Sequence, residues 1–245
     1  KSPRIHDSAF VAPGCRIIGD VTIGPDVSIW YNCVLRADVS RIVIGARTNI
    51  QDNSVIHCDS PMPGVPDGYP ALIGDDVLVG HHAVVHGCVL EDRAFVGMSA
   101  TVMNGAVIES DGMLAAGAML TPGKRLVGRQ LWSGVPARYV RDLTDEALAE
   151  MQLGVAHYVE NGRAHKKTAG RDPRFVKFGR CAAGLVVAAA DAVAVIVPAP
   201  AGAARRGRRR RRAVARLRGR RGAQQTASRR ANRGAAQRAD RAAIR

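Results

Sequence analysis

Aromatic side chains are scarce in this chain: two Trp, four Tyr and four Phe among 245 residues. Aromatics fill wide interiors because each buries a large area. Their scarcity, beside abundant Val, Ile, Ala and Gly, predicts a narrow all-β interior of aliphatic and small side chains and argues against a helical bundle. Cysteine is sparse too: Cys15, Cys33, Cys58, Cys88 and Cys181, an odd number with no C-x-x-C pair. That pattern argues against a disulfide framework and fits free thiols in a reducing, cytoplasmic compartment. No basic and apolar leader opens the sequence, so no secretory signal is read, and because Lys1 is not an initiator a few residues are expected to be missing.

Acidic residues are lacking at one end. Residues 1–169 carry 15 Lys/Arg against 18 Asp/Glu, whereas residues 170–245 carry 21 against 3. The formal net charge of +15 therefore describes neither part. The sequence divides into a β-structure over 1–143, a helix over 144–167 and an Ala/Arg-rich tail over 168–245. The tail reads either as a disordered extension or as a GC-rich frame translated out of register. Its Arg205–Arg221 block (RRGRRRRRAVARLRGRR) would bind nucleic acid or an anionic membrane through phosphate contacts alone. The apolar run Cys181–Ala201 nearly reaches bilayer length, but Asp191 within it and Pro198 and Pro200 at its end argue against a membrane span.

What the first part has is a period of six. Aliphatic residues recur at Ile23, Ile29 and Leu35, at Ile44, Ile50 and Ile56, and at Ile73, Val79 and Val85; after a five-residue step to Leu90 they resume at Val96, Val102, Ile108, Leu114 and Leu120. Four residues after most of them stands a small or β-branched side chain: Val27, Cys33, Val39, Thr48, Ser54, Val77, Ala83, Ala94, Ala100, Ala106, Gly112 and Ala118. A period of six suits neither a helix nor a plain hairpin, but it suits a coil of short strands joined at corners. Three hexapeptides make one triangular rung of eighteen residues, with the large and the small side chain both pointing inward. The fold class is a hexapeptide-repeat parallel β-helix.

Two insertions break the count. From Leu35 to Ile44 there are three residues too many, and from Ile56 to Ile73 eleven, filled by Cys58–Ala71 (CDSPMPGVPDGYPA). Four prolines and two glycines mark that stretch as an excursion from the wall. After Leu120 the repeat decays through Thr121-Pro122-Gly123 and LWSGVPARYVRDL. Thr144 reads as a helix N-cap, with Asp145 and Glu146 facing the positive helix end. Leu148, Met151, Val155, Tyr158 and Val159 then form an apolar stripe at helical spacing, to be packed on one face of the coil.

The register sorts the histidines. His57 and His86 each follow an inward residue, and their separation of 29, less the eleven inserted residues, is one rung of 18. Arg36 lies one further rung back once the three-residue insertion is removed. The three should form one outward ladder, with neighbours about 4.8 Å apart. Two imidazoles at that spacing can share a metal ion. His81 lies on the preceding side of the prism, out of reach of that ion within its own chain; a copy related by a threefold axis could present it. The adjacent His82 stays outside the ligand set. Cys58 falls on the other side of the pleat from the ladder and reads as an inert thiol.

The segments Trp30–Asp38 (WYNCVLRAD), Asn49–His57 (NIQDNSVIH) and Val79–Cys88 (VGHHAVVHGC) resemble the γ-class carbonic anhydrase family. The likeness runs over about residues 4–166, including the LWSGVPAR exit and the terminal helix. It implies a left-handed coil and a homotrimer. At each interface a divalent metal would be held by three histidines, His57 and His86 from one subunit and His81 from its neighbour. It implies reversible hydration of carbon dioxide to bicarbonate by a metal-bound hydroxide, with Gln51 orienting water or substrate and Arg36, Asp38 and Asp52 forming interfacial ion pairs that can touch bicarbonate. Zn2+ is the expected ion, with Fe2+ or Co2+ compatible with imidazole donors.

One departure from the family matters. Where the family's prototype carries a proton-shuttling glutamate in an acidic loop, Cys58–Ala71 offers only Asp59 and Asp67. Alternatives therefore stand beside hydration. One is a metal-dependent acyl-CoA thioesterase, another a hexapeptide acyltransferase needing a single histidine base and no metal, and a third a metal-stabilised trimeric scaffold without efficient catalysis.

Overall fold

A computed structural model describes residues 1–168. The expectations for the basic tail lie outside the described residues. Short parallel strands stack rung on rung into a solenoid with three faces. The first face carries Val55–His57, Val84–His86, Thr101–Val102 and Met119–Leu120. The second carries Ala71–Ile73, Val89–Leu90, Val107–Ile108 and Arg125–Leu126, and the third Phe10–Val11, Ser28–Ile29, Asn49–Ile50, Leu78–Val79, Phe95–Val96 and Met113–Leu114. The longer strands Arg16–Ile23 and Val34–Ile44 turn a corner and serve the first two faces, so Val34–Ile44 pairs with Val55–His57 at one end and Ala71–Ile73 at the other.

The six-step series is the core. Every member from Ile23 to Leu120 is buried, none more than 3% exposed. Side chains stacked at strand spacing touch their equivalents one rung away, so each Ile or Leu is sealed by its neighbours and contributes roughly 1.5–3 kcal/mol of burial. The small positions Cys33, Thr48, Ser54, Ala83, Ala100 and Ala106 are fully buried beside them. Thr48 and Ser54 meet the cost of burying a hydroxyl by donating to the carbonyls of Gly74 and Gly80, at 2.7 and 3.0 Å.

Val39 is the exception: it is 41% exposed. Gly19 pairs with Ala37 but Asp20 pairs with Arg41, so Asp38, Val39 and Ser40 are the three extra residues, bulged out of the wall. At the other end the coil outruns the sequence reading. Leu126, six after Leu120, and Leu131 are both fully buried, and the antiparallel pair Gln130–Ser133 and Arg138–Asp142 then closes the prism. Lys124 in a small-residue slot and Arg125 beside Leu126 disguise this last rung.

The corners use left-handed backbone at non-glycine residues, and one of them is a charge ladder. Asp26, Arg47, Asp76, Arg93, Asp111 and Arg129 follow one another along it with φ between 55° and 63°. Arg47 grips Asp76 at 2.6 and 2.7 Å and Arg93 grips Asp111 at 2.8 and 2.9 Å. Helix α1 (Asp145–Thr168) lies along the third face. Thr144 Oγ1 accepts the Ala147 N–H at 3.3 Å as its N-cap. Met151, Val155, Val159, Gly162 and His165 are its buried side. Among the described residues no helix is long and apolar enough to cross a membrane.

Candidate metal centre

The first face presents its ladder at the end where the chain leaves each strand. Arg36 pairs with His57, and His57 with His86, in register. Ile56 and Val85 point inward between them and are fully buried, which forces the two imidazoles outward. Their ring centroids are 4.9 Å apart, and His57 Nδ1 stands 2.9 Å from His86 Nε2.

The remaining nitrogen of each ring is already engaged. His57 Nε2 lies 3.3 Å from Asp38 Oδ1, and His86 Nδ1 lies 2.5 Å from Asn104 Oδ1. A carboxylate only accepts, so His57 must carry its proton on Nε2. Asn104 donates its amide N–H to Asp59 Oδ2 at 2.8 Å, which turns its oxygen toward His86 and requires a proton on Nδ1 there. The two facing nitrogens are then both lone pairs. Such a contact calls for a proton or a cation to share, and two imidazole nitrogens so presented suit a divalent metal.

The bulge is what delivers Asp38. Arg36 Nη1 donates to Asp38 Oδ2 at 2.6 Å, and the guanidinium, with His57 contributing, holds the Asp38 carboxyl below its usual range. Cys58, next to His57, is buried on the inner side, and burial pushes its thiol up; this is no thiolate ligand. The four cysteines among the described residues are all free.

His81 is held elsewhere, at the corner where the chain enters the first face. Its Nδ1 is 2.9 Å from Asp52 Oδ2, while Asp52 Oδ1 accepts the Tyr31 N–H at 3.2 Å. Gln51 is 5% exposed, with its Oε1 accepting the His81 N–H at 3.2 Å and its Nε2 donating to Asn49 Oδ1 at 3.3 Å. His82, next to it, takes a left-handed corner conformation and faces Ser99. The candidate residues thus fall into two groups at opposite ends of one face: Arg36, Asp38, His57 and His86, and Gln51, Asp52 and His81. Among the described residues no three His, Cys, Asp or Glu side chains converge on one metal position within a single chain.

Sequence reasoning overlooked Asn104. Strict pairing puts Met103 beside His86, since Val85 pairs with Val102. Asn104 lies one residue further, at the corner, and leans back into reach. It also overlooked the aromatic seat of the helix, where Trp30 meets Tyr158 edge-on at 5.6 Å and His165 at 4.9 Å. Tyr158 serves there as packing.

Comparison with known proteins places the chain. Residues 2–37 match the bacterial transferase hexapeptide (six repeats) family model. A protein of Methanocaldococcus jannaschii described as a probable carbonic anhydrase is 45% identical over 156 residues, 64% of this chain and 94% of that one. The chain belongs to the γ-class carbonic anhydrase family. Another member, the mitochondrial γ carbonic anhydrase 1 of Arabidopsis thaliana, is 44% identical over 179 residues, 73% of this chain. The chain spans 64% of the length of that γ carbonic anhydrase and 59% of its counterpart γ carbonic anhydrase 2. Among solved structures, a hexapeptide transferase family protein from Anaplasma phagocytophilum superposes with a TM-score of 0.62 at 42% identity, covering 66% of this chain and 92% of its own.

Proposed function

We propose that this chain is a metal-dependent lyase of the carbonic anhydrase type, catalysing the reversible hydration of carbon dioxide at a cation shared between neighbouring copies in a homotrimer. The observation that carries the reading is the pair of facing nitrogens, His57 Nδ1 and His86 Nε2, 2.9 Å apart with both outer nitrogens engaged. When bound, a divalent cation supplies Lewis acidity that brings the pKa of a water down to about 7, the value carbonic anhydrase chemistry is known for rather than one read from this chain.

The chain's own residues do the rest. His57 and His86 would offer two donors to the cation and His81 of a neighbouring copy a third. Asp38 fixes the ring of His57, and Arg36 holds Asp38. Asp52 orients His81 from below, and Gln51 serves the site by pinning the backbone on which His81 stands. A second copy would also cover Val55 and Val84, apolar side chains each 36% exposed immediately beside the ladder. Zn2+, Fe2+ and Co2+ all suit the imidazole set.

One observation favours a second reading. A groove of about 740 Å³ lined by Tyr69, Val84, Thr101 and Met103 opens beside His86, room enough for an acyl group, so a metal-dependent thioesterase is the competing activity. The deciding experiment is anaerobic purification with elemental analysis, followed by stopped-flow hydration with wild type and His86→Ala. Bound metal with turnover that His86→Ala abolishes supports the proposal. Metal without hydration shifts the reading to thioester cleavage or a scaffold, and equal rates in both proteins defeat it.

A further inference from the structure

The excursion between the first and second faces is not an open loop. Asp59 and Tyr69 pair antiparallel across its base, with N–H···O distances of 2.9 and 3.1 Å, and Met62 pairs with Val65 nearer the tip. Its base is anchored twice beside His86. Asp59 Oδ1 accepts the Ser60 N–H at 2.8 Å while Asp59 Oδ2 accepts from Asn104 Nδ2 at 2.8 Å. Tyr69 lies over the two glycines that directly follow His86 and Asn104: a Cβ on Gly87 would meet Tyr69 Cβ at 2.6 Å, and one on Gly105 would meet Tyr69 Cε1 at 3.1 Å. Those glycines let the ring come down onto the backbone.

We propose that this excursion is a strap that fixes the His86 ring, with Asn104 and Asp59 as positioning residues that set its tautomer. This rests on the cation reading above. The order of donors runs one way. The Asp59 carboxylate can only accept, so the Asn104 amide nitrogen faces it, the amide oxygen faces His86, and the His86 proton is held on Nδ1. The Nε2 lone pair is thereby presented beside that of His57. A carboxylate on the excursion thus holds a ligand ring in place, acting through an amide carried by the next rung. Outer partners of this kind are worth about 10–100-fold in metal affinity.

The test uses the full chain labelled with 15N-histidine. In chelator-treated wild type, long-range proton–nitrogen spectra should show His86 protonated on Nδ1 and bare on Nε2. Asn104→Ala should give a tautomer mixture and bind Co2+ roughly 10–100-fold more weakly in a competition titration. Asn104→Asp alone still offers His86 an acceptor but loses the donor to Asp59 and sets two carboxylates face to face, so it should fall short of wild-type affinity. Combining it with Asp59→Asn restores the order of donors, because the new amide donates to a carboxylate that still accepts from His86; this exchange should recover both tautomer and affinity. A wild-type tautomer unchanged in Asn104→Ala at undiminished Co2+ affinity overturns the strap. So does an exchange variant that folds, by circular dichroism, yet recovers neither property. A wild type that takes up no Co2+ removes the cation reading instead, while the metal-free spectra still decide the relay.

Discussion

His57 Nδ1 stands 2.9 Å from His86 Nε2, whereas His81, only five residues before His86, stands at the opposite corner of the same face on Asp52. Two donors converge and the third faces away. On the proposed reading, a neighbouring copy would have to bring its His81 to this pair.

Complementation follows from that division. His81→Ala and His86→Ala should each lose metal when produced alone. Co-expressed in equal amounts, some interfaces pair an intact His57–His86 pair with an intact His81. If copies mix at random around a closed ring, about one quarter of the interfaces are whole. Elemental analysis of the whole co-expressed population should recover about a quarter of the wild-type metal, and of purified mixed trimers about a third, with activity in proportion. No recovery, with mixed trimers demonstrated by mass spectrometry, would place the third ligand elsewhere.

Asp38 separates the site from the fold. It sits on the three-residue bulge, exposed, with Arg36 at 2.6 Å and His57 at 3.3 Å. Exposed ion pairs contribute about 0–1 kcal/mol, so Asp38→Ala should hardly change the melting temperature. It should nevertheless weaken metal binding about 10–100-fold, because the His57 ring loses the acceptor that orients it. A large drop in melting temperature with unchanged metal affinity would show the bulge to be structural.

The coil was legible because six-residue spacing is stringent: a residue placed one step off would point at solvent. Val39 was misread because an insertion can be counted from the sequence but not located within it, and the bulge fell on that residue. Leu126 and Leu131 were missed because their rung lacks the small partners that announce the others. The histidine ladder followed from subtraction alone. Asn104 did not, because contacts made by leaning out of a column leave no periodic trace. The seat of His165 on Trp30 and Tyr31 was hidden for a similar reason, since periodicity gives a helix its buried side but not the residues it will meet.

The width of the prism can be probed at Ala100, fully buried between Ala83 and Ala118 of neighbouring rungs. Ala100→Leu inserts three carbons where large side chains from the other faces already meet. Overpacking of this kind costs about 1–3 kcal/mol. Because each rung rests on the next, the strain should appear as a lower midpoint in urea with little change in slope. Leu35→Ala tests the opposite sense, leaving a cavity that costs about 2–5 kcal/mol. If Ala100→Leu proves neutral, the interior is looser than its stacked side chains indicate.

His165 should give the chain an acid-sensitive helix. It is 5% exposed on the buried side of helix α1, against Trp30 and Phe10, with the Tyr31 hydroxyl 3.1 Å from its Nδ1. Burial lowers its pKa from the ordinary 6.5, and the charge of Asp52 offsets this only in part. The unfolded chain therefore takes up a proton first as pH falls. The stability conferred by keeping this imidazole neutral is complete above about pH 6.5 and is lost as pH drops through the folded value. Melting of the wild type should fall between pH 7.5 and 5 more steeply than that of His165→Gln, which keeps a polar group there but cannot titrate. Parallel slopes in the two proteins would mean that other groups govern the acid response of the helix.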